Sequence, residues 1–287
     1  MRDLIRDVSA QASAAEMTAH SFTLWVEGDC FDLRYVDYLL CKFTRLMGKV
    51  KIRTANELPG ANEDAGGKFI LIDYLKKLEQ DEPSALLRTR FFFDADIDAL
   101  LGKKMLNNNI IYTLYYNVEA EIFHFTDIHR IVANYLNIQY HESILRYEDL
   151  HIKANGLIRD WLKFCIQSVL IGFSEKNFGC KCPVFVYNLE WNLTAMEDEL
   201  RLKCLMVGRD YESIKLYSYE IVDDLYRGGA LGIIANGKWY GHILNKLLSL
   251  GGDGFIKYYN INAISLIEIN SRIEKMYRRE FLRVGLI

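Results

Sequence analysis

Three carboxylates stand where a parallel sheet would put them to use. Glu27 ends the apolar run of "FTLWVEGD" (22–29), and Asp94 and Asp96 follow three phenylalanines in "RFFFDADID" (90–98). In extended backbone Asp94 and Asp96 point to one side, and Asp98 continues the row if the strand persists. Open parallel sheets bind ligands at the carboxyl ends of their strands. Acids gathered there repel one another and need a counter-charge. With oxygen donors and no His or Cys close by, the expected counter-ion is a hard cation, Mg²⁺ or Mn²⁺. Such an ion polarises a phosphoryl oxygen, activates water and steadies a leaving oxygen. Gly28 suits a tight turn at that edge. The plain alternative is that each acid caps a turn. Two such strand ends in one α/β segment, one of them Asp-x-Asp, favour the metal site.

The elements that must position these acids read as follows. Residues 22–26, 49–55, 89–96 and 109–116 have strand character, being apolar or alternating and rich in β-branched and aromatic side chains. Residues 32–47, 69–80 and 127–138 have helical spacing, with a short helix or turn expected at 97–105. This alternation predicts an α/β fold, a mostly parallel sheet flanked by helices. The second half predicts helices at 155–173, 192–207, 211–227, 237–250 and 263–284, interrupted by one strand candidate, "PVFVYNL" (183–189). A boundary near residue 145 follows: 1–145 as the catalytic domain, and 146–287 as a mainly helical domain for substrate, dimer or partner contacts. With no Pro/Gly/Ser-rich linker, the two are expected to pack together.

The net charge of −3 does not announce a nucleic-acid binder, although a local basic face can sit on an acidic protein. Lys238 and His242 in "NGKWYGHIL", and Arg278 and Arg279 in "EKMYRREFLRVG" with Lys275 and Arg283, are the candidates for phosphate contacts. Against them stand a helix start and a solvated helix face. "GIIANGK" (232–238) has phosphate-loop spacing, but Trp239 replaces the Ser or Thr that would bind Mg²⁺. His124 and His129 lie near the end of the fourth expected strand, where one could donate a proton. There is no Gly-x-Ser-x-Gly. Of six cysteines, only Cys180 and Cys182 are close together. No second pair completes a zinc site, so free thiols in a reducing cytoplasm are expected. The N-terminus lacks a signal-peptide core, and the most apolar stretch, 164–173, is too short to span a bilayer. The expectation is a cytoplasmic protein with no membrane contact.

"WVEGDCFDLRYVDYLL" followed by "RFFFDADID" resembles a Toprim domain, with its Glu-Gly after the first strand and Asp-x-Asp after a later one. "NIIYTLYYNVEAEIF" (109–123) is similar to the segment of OLD-like stand-alone Toprim proteins in which an aromatic strand leads into a glutamate. "NGKWYGHIL" (236–244) resembles a helix start of the same proteins. One class of these is the Toprim effector of the PARIS phage-defence system. Over about residues 20–140, the resemblance implies an Mg²⁺-dependent nuclease. Glu27 would be the general acid/base or a metal ligand, and Asp94 and Asp96 metal ligands. Glu119 would join the site, with Glu121 as the neighbouring candidate. It further implies tRNA as substrate and an ABC-type ATPase partner that restrains the enzyme, with a homodimer among the roles open to the helical half. The continuation "GDCFD" departs from the plainer family pattern, so Asp29 and Asp32 compete for one slot. Alternatives from other classes are an OLD-like DNA nuclease and a non-catalytic interaction module. Topoisomerase chemistry would also need a nucleophilic tyrosine.

Overall fold

A computed structural model describes residues 22–28, 30–43, 45, 46, 48–58, 67–96, 102, 104–172, 193–250, 252, 254–266 and 271–287. The chain forms two compact units, Met1–Leu114 with Ile267–Ile287, and Tyr115–Leu266.

The first unit is built on β1 (Phe22–Val26), α1 (Cys30–Cys41), β2 (Val50–Thr54), α2 (Gly67–Asp81), α3 (Pro83–Leu86), β3 (Thr89–Phe93) and β4 (Ile110–Tyr112). The strands make one all-parallel sheet in the order β2-β1-β3-β4. Parallel neighbours cannot be joined by a tight turn, so helices run between them. β3 is buried at every position, as its unbroken apolar run requires when both faces are covered. On one face Trp25, Phe91 and Phe93 pack with Leu71, Tyr74, Leu75 and Leu78, the i, i+3, i+4, i+7 stripe of α2. On the other, Phe92 stacks on Tyr277 of the C-terminal helix (Ser271–Arg283), ring centroids 6.2 Å apart. That helix is fastened twice. The buried Arg90 on β3 donates to the carbonyl of Val284, and Arg283 donates to the carbonyls of Asn107 and Ile110 beside β4.

The second unit is helical: α4 (Val118–Phe125), α5 (Ile128–Leu136), α6 (Tyr140–Tyr147), α7 (Leu150–Ile171), α8 (Leu193–Met206), α9 (Tyr211–Arg227), α10 (Lys238–Leu247) and α11 (Gly254–Asn262). Asp127, Asp149 and Asp210 cap α5, α7 and α9 by accepting from the backbone N–H three residues on. In its core Phe123 and Tyr240 stack with centroids 3.7 Å apart. Among the described residues no helix is long and apolar enough to cross a membrane.

The expected α/β alternation is present, with differences of detail. The strand expected over 109–116 stops at Tyr112, because Thr113 turns its hydroxyl to the Ala95 N–H and Asn117 begins a helix. The helix expected over 32–47 ends at Cys41. The one expected over 263–284 is a 3₁₀ turn at Ala263–Leu266 and a separate helix from Ser271. Helices α3, α4, α6 and α11 are not among those expected. The boundary read near 145 falls inside α6, whereas the units part at Leu114 and the first regains the C-terminal helix. Helical periodicity shows that a segment has an apolar face, not which sheet or bundle that face covers. The strand candidate at 183–189, the pair Cys180 and Cys182, the N-terminal twenty residues, Asp29 and Asp98 lie outside the described residues. Cys165 and Cys204 are buried thiols, and Cys41 is an exposed one.

Candidate active site

The register of the sheet places Glu27. Val26 pairs with Phe92, so the next residue of β1 reaches the level where β3 ends at Phe93. There Glu27 Oε1 accepts a 2.8 Å hydrogen bond from the backbone N–H of Asp94. Two glycines admit the turn that follows. The Gly28 N–H donates to Asp32 Oδ2 at 2.7 Å, and a Cβ on Gly28 would lie 2.3 Å from that oxygen. A Cβ on Gly67, at the start of α2, would lie 2.1 Å from the carbonyl oxygen of Glu27. Of the two acids competing for one slot, Asp32 is thus folded back onto Gly28.

Burial pushes the Glu27 carboxyl up to about 8, from an ordinary 4.5. The Lys68 ammonium pulls it down, the Asp96 charge raises it, the Asp94 N–H lowers it and the Asp32 charge raises it further. Glu27 therefore holds its proton at neutral pH.

Asp94 and Asp96 do not continue a strand. β3 ends at Phe93, and Asp96 takes a left-handed backbone, φ 46°, which aspartate tolerates better than most side chains. Two contacts impose this turn. The Ala95 N–H donates to Thr113 Oγ1 at 2.8 Å. Lys68 Nζ, from the first turn of α2, donates to the Asp94 carbonyl at 3.0 Å and to Asp96 Oδ2 at 2.7 Å. The expected alternation of Asp94 and Asp96 is thus replaced by a clasp, with the Asp94 peptide serving Glu27 on one side and Lys68 on the other.

A hard cation is the expected counter-charge here. The charges of Asp96 and Asp32 both raise the Glu27 carboxyl. Among the described residues, no group of three or more His, Cys, Asp and Glu side chains is gathered closely enough to hold a metal, so the edge is not a preformed cage. The positive charge at Asp96 is that of Lys68. Sequence reading missed this lysine because it follows a glycine-rich loop and lies 26 and 28 residues before its partners.

The other candidates meet in the second unit. Asn117 caps α4 by accepting from Ala120 N–H at 3.0 Å, and the same oxygen accepts from Gly237 N–H at 2.9 Å. Its amide donates to Asn236 Oδ1 at 3.1 Å, which also accepts from Lys238 N–H. This clasp joins the starts of α4 and α10. It brings Lys238 Nζ within 3.9 Å of Glu119, with the lysine exposed. His242 is half-buried one turn along α10. Glu121 is buried, and its Oε1 accepts from the Tyr115 N–H at 3.3 Å. The glycines of "GIIANGK" serve packing. A Cβ on Gly232 would lie 2.4 Å from the His124 ring, and one on Gly237 would lie 1.9 Å from the Ala120 nitrogen.

His124 is a half-buried histidine packed among aromatic rings. Its ring stacks on Tyr115 and its Nε2 lies 3.1 Å from Tyr240 Oη. Burial drives it down to about 3, with help from His151. His129 Nδ1 lies 3.4 Å from Ser143 Oγ. On the C-terminal helix Arg278 and Arg279 are exposed, and Arg278 pairs with Glu274 at 2.8 Å. Arg283 is committed to Glu280 and the carbonyls beside β4. No family model, curated protein or solved structure matches the chain.

Proposed function

We propose that the chain is a metal-dependent phosphodiesterase of the Toprim type, an endonuclease acting on RNA. The observation that carries this reading is Glu27. It is a carboxyl at the carboxyl edge of a parallel sheet, oriented by the Asp94 N–H, protonated at neutral pH and set beside Asp96 and Lys68. A group that keeps its proton at pH 7 is fitted for general-acid work. Water attacks the phosphorus and loses its proton to solvent, and as the P–O bond of the phosphodiester breaks, Glu27 gives its proton to the leaving oxygen. The Lys68 ammonium offsets negative charge at the same edge. Asp94 and Asp96 are the residues that would hold Mg²⁺ or Mn²⁺, which would polarise a phosphoryl oxygen.

The narrower reading rests on the resemblance of the Glu-Gly and Asp-x-Asp segments to OLD-like Toprim proteins. By it the chain is a cytoplasmic defence effector that cleaves tRNA. An ABC-type ATPase restrains it, and Lys238, His242, Arg278 and Arg279 contribute phosphate contacts. One observation favours a non-catalytic module instead: the acidic edge already has its own counter-charge in Lys68.

The test is cleavage of total tRNA and of plasmid DNA by the chain and by Glu27→Gln, with Mg²⁺ or with EDTA. Discrete tRNA fragments that require both Mg²⁺ and Glu27 are expected. Plasmid nicking with the same requirements would make it a DNA nuclease. Inactivity of the folded chain on both substrates, with and without a co-expressed ATPase partner, would leave the interaction module.

A further inference from the structure

The opposite edge of the sheet carries charge of the opposite sign. Glu27 lies past the end of β1, and α1 runs back from there, so the segment after α1 enters β2 at the amino edge of the strands. The Phe22 N–H, at the start of β1, donates to the Lys49 carbonyl there at 3.0 Å. The C-terminal helix ends at the same edge, where Arg90 near the start of β3 holds the Val284 carbonyl. Five-residue strands keep the two edges about 16 Å apart. Residues 41–51 carry four basic side chains and no acid, and the C-terminal helix carries five against two acids. On a chain of net charge −3 this is a local surplus.

Part of the surplus converges on one cavity. Phe43 packs edge-on against Phe281, ring centroids 4.9 Å apart, and so pins the turn after α1 to the C-terminal helix. Beside this contact a cavity of about 360 Å³ is lined by Lys42, Phe43, Arg45, Arg278, Leu282 and Ile287, with no Asp or Glu among them. The Lys42 ammonium rests 4.6 Å from the Tyr38 ring and the Arg278 guanidinium 5.7 Å from the Phe43 ring, which braces both side chains. Arg278 donates to Glu274, and its five N–H donors leave others for a second anion. Among the described residues no carboxylate pairs with Lys42 or Arg45. Three cations on one cavity repel one another, and a bound anion relieves this. The apolar wall of Leu282 and Ile287 suits an anion carried on an organic body, and the volume suits a small one. We propose that this pocket binds the phosphate of a nucleotide, with Lys42, Arg45 and Arg278 on the phosphate and the apolar wall against the sugar and base. Its phosphate is not one that Glu27 can reach, and the pocket does not rest on the nuclease reading.

The experiment titrates the full chain with AMP, inorganic phosphate and adenosine by isothermal titration calorimetry at low salt. AMP should bind, phosphate more weakly, and adenosine not measurably. Arg45→Gln and Arg278→Gln should each weaken AMP by about ten-fold, as the loss of one charged hydrogen-bond donor does, and Arg45→Lys by less. Both arginines are exposed, so the variants should melt like the parent. Lys68→Gln, at the far edge, should bind AMP as the parent does. No AMP binding at millimolar concentration, equal binding of adenosine, AMP affinity indifferent to both glutamines, or a loss confined to Lys68→Gln overturns the proposal. A labelled single-stranded RNA then separates two sources of the phosphate. If AMP displaces it and Arg45→Gln weakens it, the pocket holds one nucleotide of a nucleic acid. If Arg45→Gln weakens AMP alone, the ligand is a free nucleotide. A chain that binds AMP here and cleaves nothing keeps the pocket and loses the nuclease reading.

Discussion

The backbone N–H of Asp94 donates to Glu27 Oε1 at 2.8 Å, across two neighbouring strands and 67 residues of sequence. A peptide N–H cannot move without the strand that carries it, so the carboxyl is aimed by the sheet itself. The pull of this bond and of Lys68 toward the ionised form is outweighed by burial, which leaves the proton in place.

Glu27 should make the folded state weaken as pH rises. Its carboxyl is raised to about 8 when folded, against an ordinary 4.5 when unfolded. Between those values the native state binds more protons than the unfolded one. Its contribution is complete below the unfolded value and is lost as pH climbs through the folded one. Glu27→Gln keeps an oxygen for the Asp94 N–H and cannot ionise. In urea melts it should match the parent at about pH 4 and exceed it by a few kcal/mol at about pH 9. A gain of the same size at both pH values would show that Glu27 is not held protonated.

His124 should act on the acid side. A histidine lowered to about 3 by burial binds fewer protons folded than unfolded, so its contribution is present above 6.5 and lost as pH falls toward 3. His124→Asn should flatten the dependence of stability on pH between about 4 and 6, whatever it does to stability at neutral pH. Circular dichroism melts across that range read the slope directly.

Two glycines four residues apart should respond oppositely to alanine. At Gly237 a Cβ would meet the Ala120 nitrogen at 1.9 Å and the Glu119 carbonyl carbon at 2.2 Å, both backbone atoms that cannot step aside. Gly237→Ala should cost about 3 kcal/mol or more. At Gly241, inside α10, the nearest atoms are at 3.8 and 3.9 Å. Gly241→Ala should be neutral, or stabilising by up to about 1 kcal/mol through helix propensity. Chemical denaturation of both variants checks the pair.

Asn117 should couple to Asn236. Asn117→Ala removes a helix cap, costing about 1–2 kcal/mol, and also strips the Gly237 N–H of its acceptor. A double-mutant cycle with Asn236→Ala should give a coupling of about 0.5 kcal/mol or more. Strict additivity would mean that the 3.1 Å contact between the two amides carries no energy.

The central strands β1 and β3 were legible in the sequence because they are covered on both faces. The runs at 22–26 and 91–93 have no polar side to confuse the period, and Glu27 and Asp94 mark where they stop. The helix at 118–125 was legible in principle: Asn117 followed by acids at 119 and 121 is a helix-start pattern, but the aromatic run before it reads as strand. Lys68 was not legible. Nothing local distinguishes it from Lys76 or Lys77 of the same helix, and only the sheet order sets it against Asp96. The meeting of Glu119 with Lys238 is hidden for the same reason, since it depends on which two helix starts the asparagines join.

The sheet unit is interrupted in sequence. Its strands are complete by Tyr112, yet the helix that stacks Tyr277 on Phe92 and receives the Arg90 guanidinium comes only after the entire helical unit. On the ribosome the helical unit can fold as it emerges, while the sheet waits with one apolar face open. Synthesis thus imposes an order: the contacts that hold the Glu27 edge are complete in sequence by Thr113, but the Phe92 face of the sheet is covered only once the helix from Ser271 has emerged.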